Sequence, residues 1–292
     1  MELRAAYAFL LALFLAMALI AVLVRVAGPL QLIDSGGGRK VHVGRVPRIG
    51  GVANFVGFLV PVLIWIPPSD GVGAFLSAAA VLFVFGLLDD RFNLDYRLKL
   101  LGQCLAAGIV IIGGDVMIHR VPCWPGGLLP EPLAVPLTLL VVAGLTNAVN
   151  LSDGLDGLAG GISLMAAACL LALSAGGATS TSLVVLAALL GAVLGFLRFN
   201  TYPARLFMGD SGSQLLGFSV GVLAIMVTQR ADTELSPVLP LLVLGVPILD
   251  MLTVIVGRIA RGDSPFKADR THLHHRLLAS GLTQSEAVSP PP

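Results

Sequence analysis

The chain has 292 residues, 56% of them hydrophobic and 12% charged, with a formal net charge of +1. Soluble domains carry about 25% charged residues, and a mean hydropathy of +0.92 leaves too little polar surface to cover a water-soluble fold of this size. These values argue against a soluble enzyme and against nucleic acid as a partner, and the three scattered cysteines, Cys104, Cys123 and Cys169, outline neither a disulfide framework nor a CxxC metal site.

Crossing a bilayer takes about 20 mostly apolar residues, and residues 5–27 are the first such stretch. It is too long for a signal-peptide core and no small-residue cleavage site follows it, so it reads as a retained anchor. Further apolar runs lie at 50–66, 72–88, 98–112, 133–149, 158–174, 182–197, 214–228 and 238–256. Pro61, Pro136 and Pro247 fall inside these runs, which is tolerable where neighbouring helices satisfy the released carbonyl. The expectation is an all-α, polytopic membrane helix bundle of about nine to ten transmembrane helices. It forms a single domain over 1–292, with a tail from about 285 that reads as disordered.

With nine spans and the N-terminus outside, fifteen of the 18 basic residues fall on one side, and only Arg4, Arg120 and Arg230 on the other. The positive-inside rule makes the basic side cytoplasmic. The patterned polar residues collect on that same side, in four separate loops.

Asp89 and Asp90 directly follow an apolar run, where charge is costly unless it binds something; beside Arg91 they also read as a plain topological stop. Asn147, Asn150, Asp153 and Asp156 recur every three residues, which on a helix presents amide and carboxylate oxygens along one slowly turning face. A cap and turn would account for one of them. Asp210 stands between glycines just before an apolar helix, either capping it or serving as an oxygen ligand for Mg²⁺. No P-loop lysine motif and no HExxH zinc motif occurs. His272, His274 and His275 beside Arg270 and Arg276 form a donor-rich loop suited to phosphates, with a histidine metal site as the rival reading. Lys40, His42 and Arg48, in a glycine-containing loop, add cations that positive-inside topology would also explain.

Together these motifs resemble the polyprenyl-phosphate N-acetylhexosamine-1-phosphate transferase family. The matching pieces are Arg39-Lys-Val-His42 with Pro47-Arg-Ile-Gly-Gly51, Leu88-Asp-Asp-Arg-Phe-Asn93 with Lys99, Asn147 to Ala159, Phe207-Met-Gly-Asp-Ser-Gly-Ser213 and His272-Leu-His-His-Arg276. They run in order from about residue 39 to 277.

The resemblance implies transfer of a sugar 1-phosphate from a UDP-N-acetylhexosamine to undecaprenyl phosphate, with release of UMP. This would start cell-envelope glycan synthesis at the cytoplasmic face of the inner membrane. By the same resemblance, Asp89 and Asp90 lie near the lipid phosphate, and Asn147, Asn150, Asp153 and Asp156 line the nucleotide and metal cleft. Asp210, with Asn150, holds Mg²⁺ or Mn²⁺, and His274 and His275 contact the donor diphosphate. Lys99, Arg205, Arg270 and Arg276 would offset the like charges that phosphoryl transfer brings together.

The interrupted histidine motif resembles the branch using UDP-N-acetylglucosamine more than the peptidoglycan branch acting on UDP-MurNAc-pentapeptide. The family pattern carries a further span after the histidine motif, where this sequence has a short tail. Membrane lipid is an expected partner, nucleic acid is not, and a homodimer is compatible with the pattern. The rival from another class is a secondary transporter, which predicts charges at mid-membrane depth. Only Asp250, late in its span, departs from the gathering of charges at one face.

Overall fold

The structure, a computed structural model, describes residues 2–34, 46–122, 124–174, 180–230, 233, 235–265 and 271–288. Lys40, His42 and Arg270 lie outside the described residues.

Twelve helices are described: α1 (Glu2–Val26), α2 (Gly50–Trp65), α3 (Asp70–Phe92), α4 (Tyr96–Gly114), α5 (Glu131–Leu151), α6 (Leu158–Ser174), α7 (Ser180–Asn200), α8 (Gly209–Thr228), α9 (Leu239–Val243), α10 (Gly245–Ala260), α11 (Leu273–Ala279) and α12 (Gln284–Val288). Six of them, α1, α3, α4, α5, α7 and α8, are long and apolar enough to cross a membrane; α2 and α6 are shorter apolar helices. The protein is thus a mostly helical bundle with membrane-spanning character.

Local chemistry sets several boundaries. Ser69 caps α3 by accepting the N–H of Val72, and Asp95 caps α4 by accepting that of Arg97 at 2.9 Å. Asn93, at φ 52°, closes α3 in the left-handed region that asparagine tolerates.

Three features depart from the sequence reading. The expected run 238–256 is not one helix, because α9 ends and α10 begins at Leu244. Pro240 and Pro247 each sit in a first helical turn, where a missing N–H costs nothing, and Pro247 cannot donate to the carbonyl of Val243. The loop before α2 carries a short antiparallel pair, β1 (Ile33–Asp34) with β2 (Val46–Pro47), in a chain expected to be wholly helical. The segment expected to be disordered from 285 begins inside α12. There the Thr283 hydroxyl donates to Glu286 and accepts the Glu286 N–H, a capping box legible in the sequence as T-x-x-E.

Packing is organised around α8. It is buried along almost its whole length, with α3 and α5 as its main neighbours and α2 and α6 also against it. Small side chains make that possible, since without water's hydrophobic drive close backbone approach holds membrane helices together. Ala8, Ala12 and Ala16 form a fully buried stripe on α1, which lies lengthwise on α7. The aromatic rings of Phe58, Phe75 and Phe218 link α2, α3 and α8. The N-terminus of α8, the C-terminus of α3 and the C-terminus of α5 therefore meet at one end of the bundle.

Candidate active site

At that end the α3–α4 hairpin closes on an ion pair. The N–H of Leu94 donates to Asp89 Oδ1 at 2.8 Å, and Lys99, one turn into α4, pairs with Asp89 Oδ2. The Asp89 carboxylate is almost fully buried, and Lys99 Nζ lies 3.9 Å from Asp210 Oδ2.

Asp90, the next residue, turns to α8. Its carboxylate accepts the N–H of Asp210 at 2.8 Å, the N–H of Ser211 at 3.0 Å and the Ser211 hydroxyl at 2.8 Å. A carboxylate at a helix N-terminus satisfies orphan donors and meets the positive end of the helix dipole. Gly209, at φ +73° and packed against the Asp90 oxygens, allows the chain to turn into α8 here.

The expected ladder of four oxygens divides in two. Asn147 and Asn150 lie on the last turns of α5, but the helix stops at Leu151, and residues 152–157 are turns carrying Gly154 and Gly157. Asn147 faces α4 and exchanges hydrogen bonds with Gln103, donating at 2.6 Å and accepting at 3.2 Å; Gln103 also donates to Gln214 of α8 at 3.3 Å. Asn150 faces the carboxylates, donating to Asp210 Oδ1 at 2.6 Å and to the Ser213 hydroxyl at 2.8 Å.

Asp153 has Asp210, Asp90 and Asp156 as like-charged neighbours and Arg48 as a cationic one. Burial first, and then Asp210 and Asp90, push its carboxyl up to about 7, against the opposing pull of Arg48. Asp156 accepts the N–H of Ala204 at 2.8 Å, while Asn200 accepts the N–H of Gly157 and donates to the carbonyl of Leu206. These bonds tie the turn after α5 to the 201–207 loop.

The histidines reach the same cleft from α11. The His274 ring packs on Gly154, where any side chain at 154 would strike Nε2. The rings of His272 and His274 stack at 5.8 Å, and His274 and His275 lie 4.2 Å apart. Burial, reinforced by His275 and His272 and opposed by Asp250, lowers His274 to about 4, so it meets a ligand at neutral pH as an uncharged hydrogen-bonding ring. Arg205 and Arg276 are exposed.

Sequence reasoning passed over Gln103 and Gln214 and took Ser211 and Ser213 only as part of the 207–213 motif. Gln103 and Gln214 are polar residues inside apolar runs, the signal that could have found them.

A magnesium ion suits this donor set. Among the described residues no three His, Cys, Asp or Glu side chains form a cage, and Mg²⁺ takes one or two carboxylates when substrate phosphates and water complete its shell. The half-buried Asp210 and the crowded Asp153 supply that number. Asn150 donates its amide N–H to Asp210 and so orients that carboxylate, and its amide oxygen is the atom that would reach a cation.

Residues 72–228 match the family model described as glycosyl transferase family 4. The chain belongs to this family. It is 37% identical, over 98% of its length and 80% of the other, to a Bacillus subtilis (strain 168) protein named "Probable undecaprenyl-phosphate N-acetylglucosaminyl 1-phosphate transferase". It is 36% identical, over 86% of its length and 71% of the other, to the decaprenyl-phosphate N-acetylglucosaminephosphotransferase of Mycobacterium leprae (strain TN). With the undecaprenyl-phosphate alpha-N-acetylglucosaminyl 1-phosphate transferase of Escherichia coli (strain K12) it shares 31% identity over 90% of its length and 73% of the other. As a member of this family the protein is a transferase. The cleft at the α3, α5 and α8 ends lies within or beside the matched region, whereas the loop before α2 and the histidine helix lie outside it.

Proposed function

We propose that this transferase moves N-acetylglucosamine 1-phosphate from UDP-N-acetylglucosamine to a polyprenyl phosphate, releasing UMP, with Mg²⁺ bound, at the cytoplasmic face of the inner membrane. The observation that carries the reading is the convergence of Asp89, Asp90, Lys99, Asn150, Asp153 and Asp210 from α3, α4, α5 and α8 at one end of the bundle. The names of the relatives supply the sugar and the lipid.

A lipid phosphate oxygen attacks the phosphorus that bears the sugar; a new P–O bond forms there, the bond to the bridging oxygen breaks, and UMP leaves with that oxygen. The reaction sets anion against anion, so the protein's task is positioning and charge stabilisation. Lys99 stands between Asp89 and Asp210, where its ammonium can neutralise an incoming phosphate. Asp210 and Asp153 would hold Mg²⁺, which when bound would supply charge neutralisation for the donor diphosphate.

For Asp89 and Asp90 the contacts favour direct transfer over a phosphorylated aspartate. Asp90 already accepts three hydrogen bonds, and Asp89 is held by Lys99 and the Leu94 N–H, so neither is poised as a nucleophile. The test is UMP release by the purified protein in detergent, supplied with polyprenyl phosphate and UDP-N-acetylglucosamine or UDP-MurNAc-pentapeptide, with and without EDTA. Turnover with the first donor that EDTA abolishes is expected. Turnover only with the second would move the protein to the other branch, and none with either would end the reading.

A further inference from the structure

Asp250 lies on the second turn of α10 with its side chain about nine-tenths buried. Nothing in the proposed transfer uses it. A carboxylate at this depth needs a partner to offset desolvation, and both of its oxygens find one on α11. Oδ2 accepts from His272 Nδ1 at 2.9 Å and Oδ1 accepts the N–H of Leu273 at 2.6 Å. His272, the residue at the N-cap of α11, makes no capping bond of its own, so Asp250 performs that service from 22 residues upstream.

Two consequences follow from elementary chemistry. With the carboxylate oxygen as acceptor, the bond puts a proton on Nδ1 of His272 and leaves Nε2 as the ring's second hydrogen-bonding nitrogen. The stack from His272 to His274 and the seat of His274 on Gly154 then place the ring pair over the turn that carries Asp153. Asp250 is thus the point at which α10 holds the histidine helix against the cleft.

We propose that Asp250 is a positioning residue for donor recognition, which fixes the tautomer of His272 and pins α11 so that the His272 and His274 rings face the diphosphate of the nucleotide-sugar. The inference rests on the proposed function for the identity of the donor, but its geometric half does not.

The experiment compares the full-length protein with Asp250→Asn, His272→Ala, the double variant and Asp250→Glu. Asp250→Asn is expected to raise the UDP-N-acetylglucosamine KM about 10- to 100-fold while leaving the polyprenyl-phosphate KM unchanged. In the His272→Ala background Asp250→Asn should cost much less than it does alone, because the larger part of its effect passes through that ring and only the cap on Leu273 is left to lose. Asp250→Glu, which keeps the carboxylate, should restore most of the donor affinity. Additive losses in the double variant, an unchanged donor KM in Asp250→Asn, or a Glu variant as impaired as the Asn variant would each overturn the proposal.

Nitrogen-15 NMR of histidine-labelled protein, with His272→Ala to assign the signal, reads the tautomer without any turnover. The Nδ1–H form is expected in the parent and in Asp250→Glu, and its loss in Asp250→Asn. An Nε2–H form in the parent overturns the proposal even if the transferase is active. An inactive parent that shows the Nδ1–H form defeats the proposed function and leaves the positioning role standing.

Discussion

Asp90 caps α8 from across the bundle, accepting the backbone N–H of Asp210 at 2.8 Å although 120 residues separate them in the chain. Because the same carboxylate also takes the N–H and the hydroxyl of Ser211, the position of Asp210 depends on Asp90. Hydrogen bonds to a charged partner contribute about 1.5–3 kcal/mol each, and they are not additive. Asp90→Ala should therefore lower stability by roughly 3 kcal/mol and abolish activity. Asp90→Asn keeps one acceptor oxygen and should fold better than the Ala variant while remaining impaired. Thermal unfolding in detergent measures the order. An Ala variant as stable as the parent would show that the cap is dispensable.

Asp210 gains its importance from exposure rather than burial, since its carboxylate is half-open to the cleft while Asn150 holds one oxygen. Asp210→Asn should fold normally and lose about 10² to 10³ in turnover, the usual loss when one charge-stabilising group is removed from such a centre. Raising the Mg²⁺ concentration should recover part of that loss. Full turnover of the variant in the standard assay would remove Asp210 from the proposed metal site.

Gly154 leaves room for a ring, and Gly154→Ala introduces a methyl group that meets His274 Nε2. The imidazole must shift, so the donor KM should rise about tenfold or more with little change in the acceptor KM. Equal effects on both substrates would place the histidine helix elsewhere in the reaction.

Acidification should loosen the histidine helix. His274 is held at about 4 by burial and by His275 and His272, with Asp250 opposing, so the fold favours its neutral form. Its folded value lies below the unfolded one of about 6.5, so its contribution is intact above pH 6.5. The contribution is lost progressively as pH falls toward 4, by on the order of 3 kcal/mol at most. Melting temperature against pH is the measurement. His274→Gln should flatten the curve between those limits, and an unchanged slope in the variant would assign the acid sensitivity to other groups.

The distribution of basic residues predicts an orientation, and labelling tests it. In a background with Cys104, Cys123 and Cys169 replaced by serine, Ser69→Cys is expected to react with an impermeant thiol reagent in intact cells and Tyr202→Cys to be protected. Reaction at residue 202 from outside would invert the bundle.

The sequence by itself determined that this chain is a helix bundle suited to a membrane, where most helices begin and end, and which polar motifs stand as candidates for the chemistry. These are local properties: apolar runs of spanning length, and polar clusters whose order resembles a family. The break at Leu244 was less legible, because apolar composition continues through it and only Pro240 and Pro247 mark it. The division of labour among the polar residues was decided by tertiary structure alone. Asp89 and Asp90 are adjacent and chemically identical, yet one pairs with Lys99 and the other caps α8, because successive residues of a helix point about 100° apart and meet different neighbours. Asn147 and Asn150 part for a related reason, one facing α4 and the other Asp210. The reach of Asp250 to His272 has no sequence signature, since it depends on how α11 folds back onto α10 rather than on any spacing along the chain.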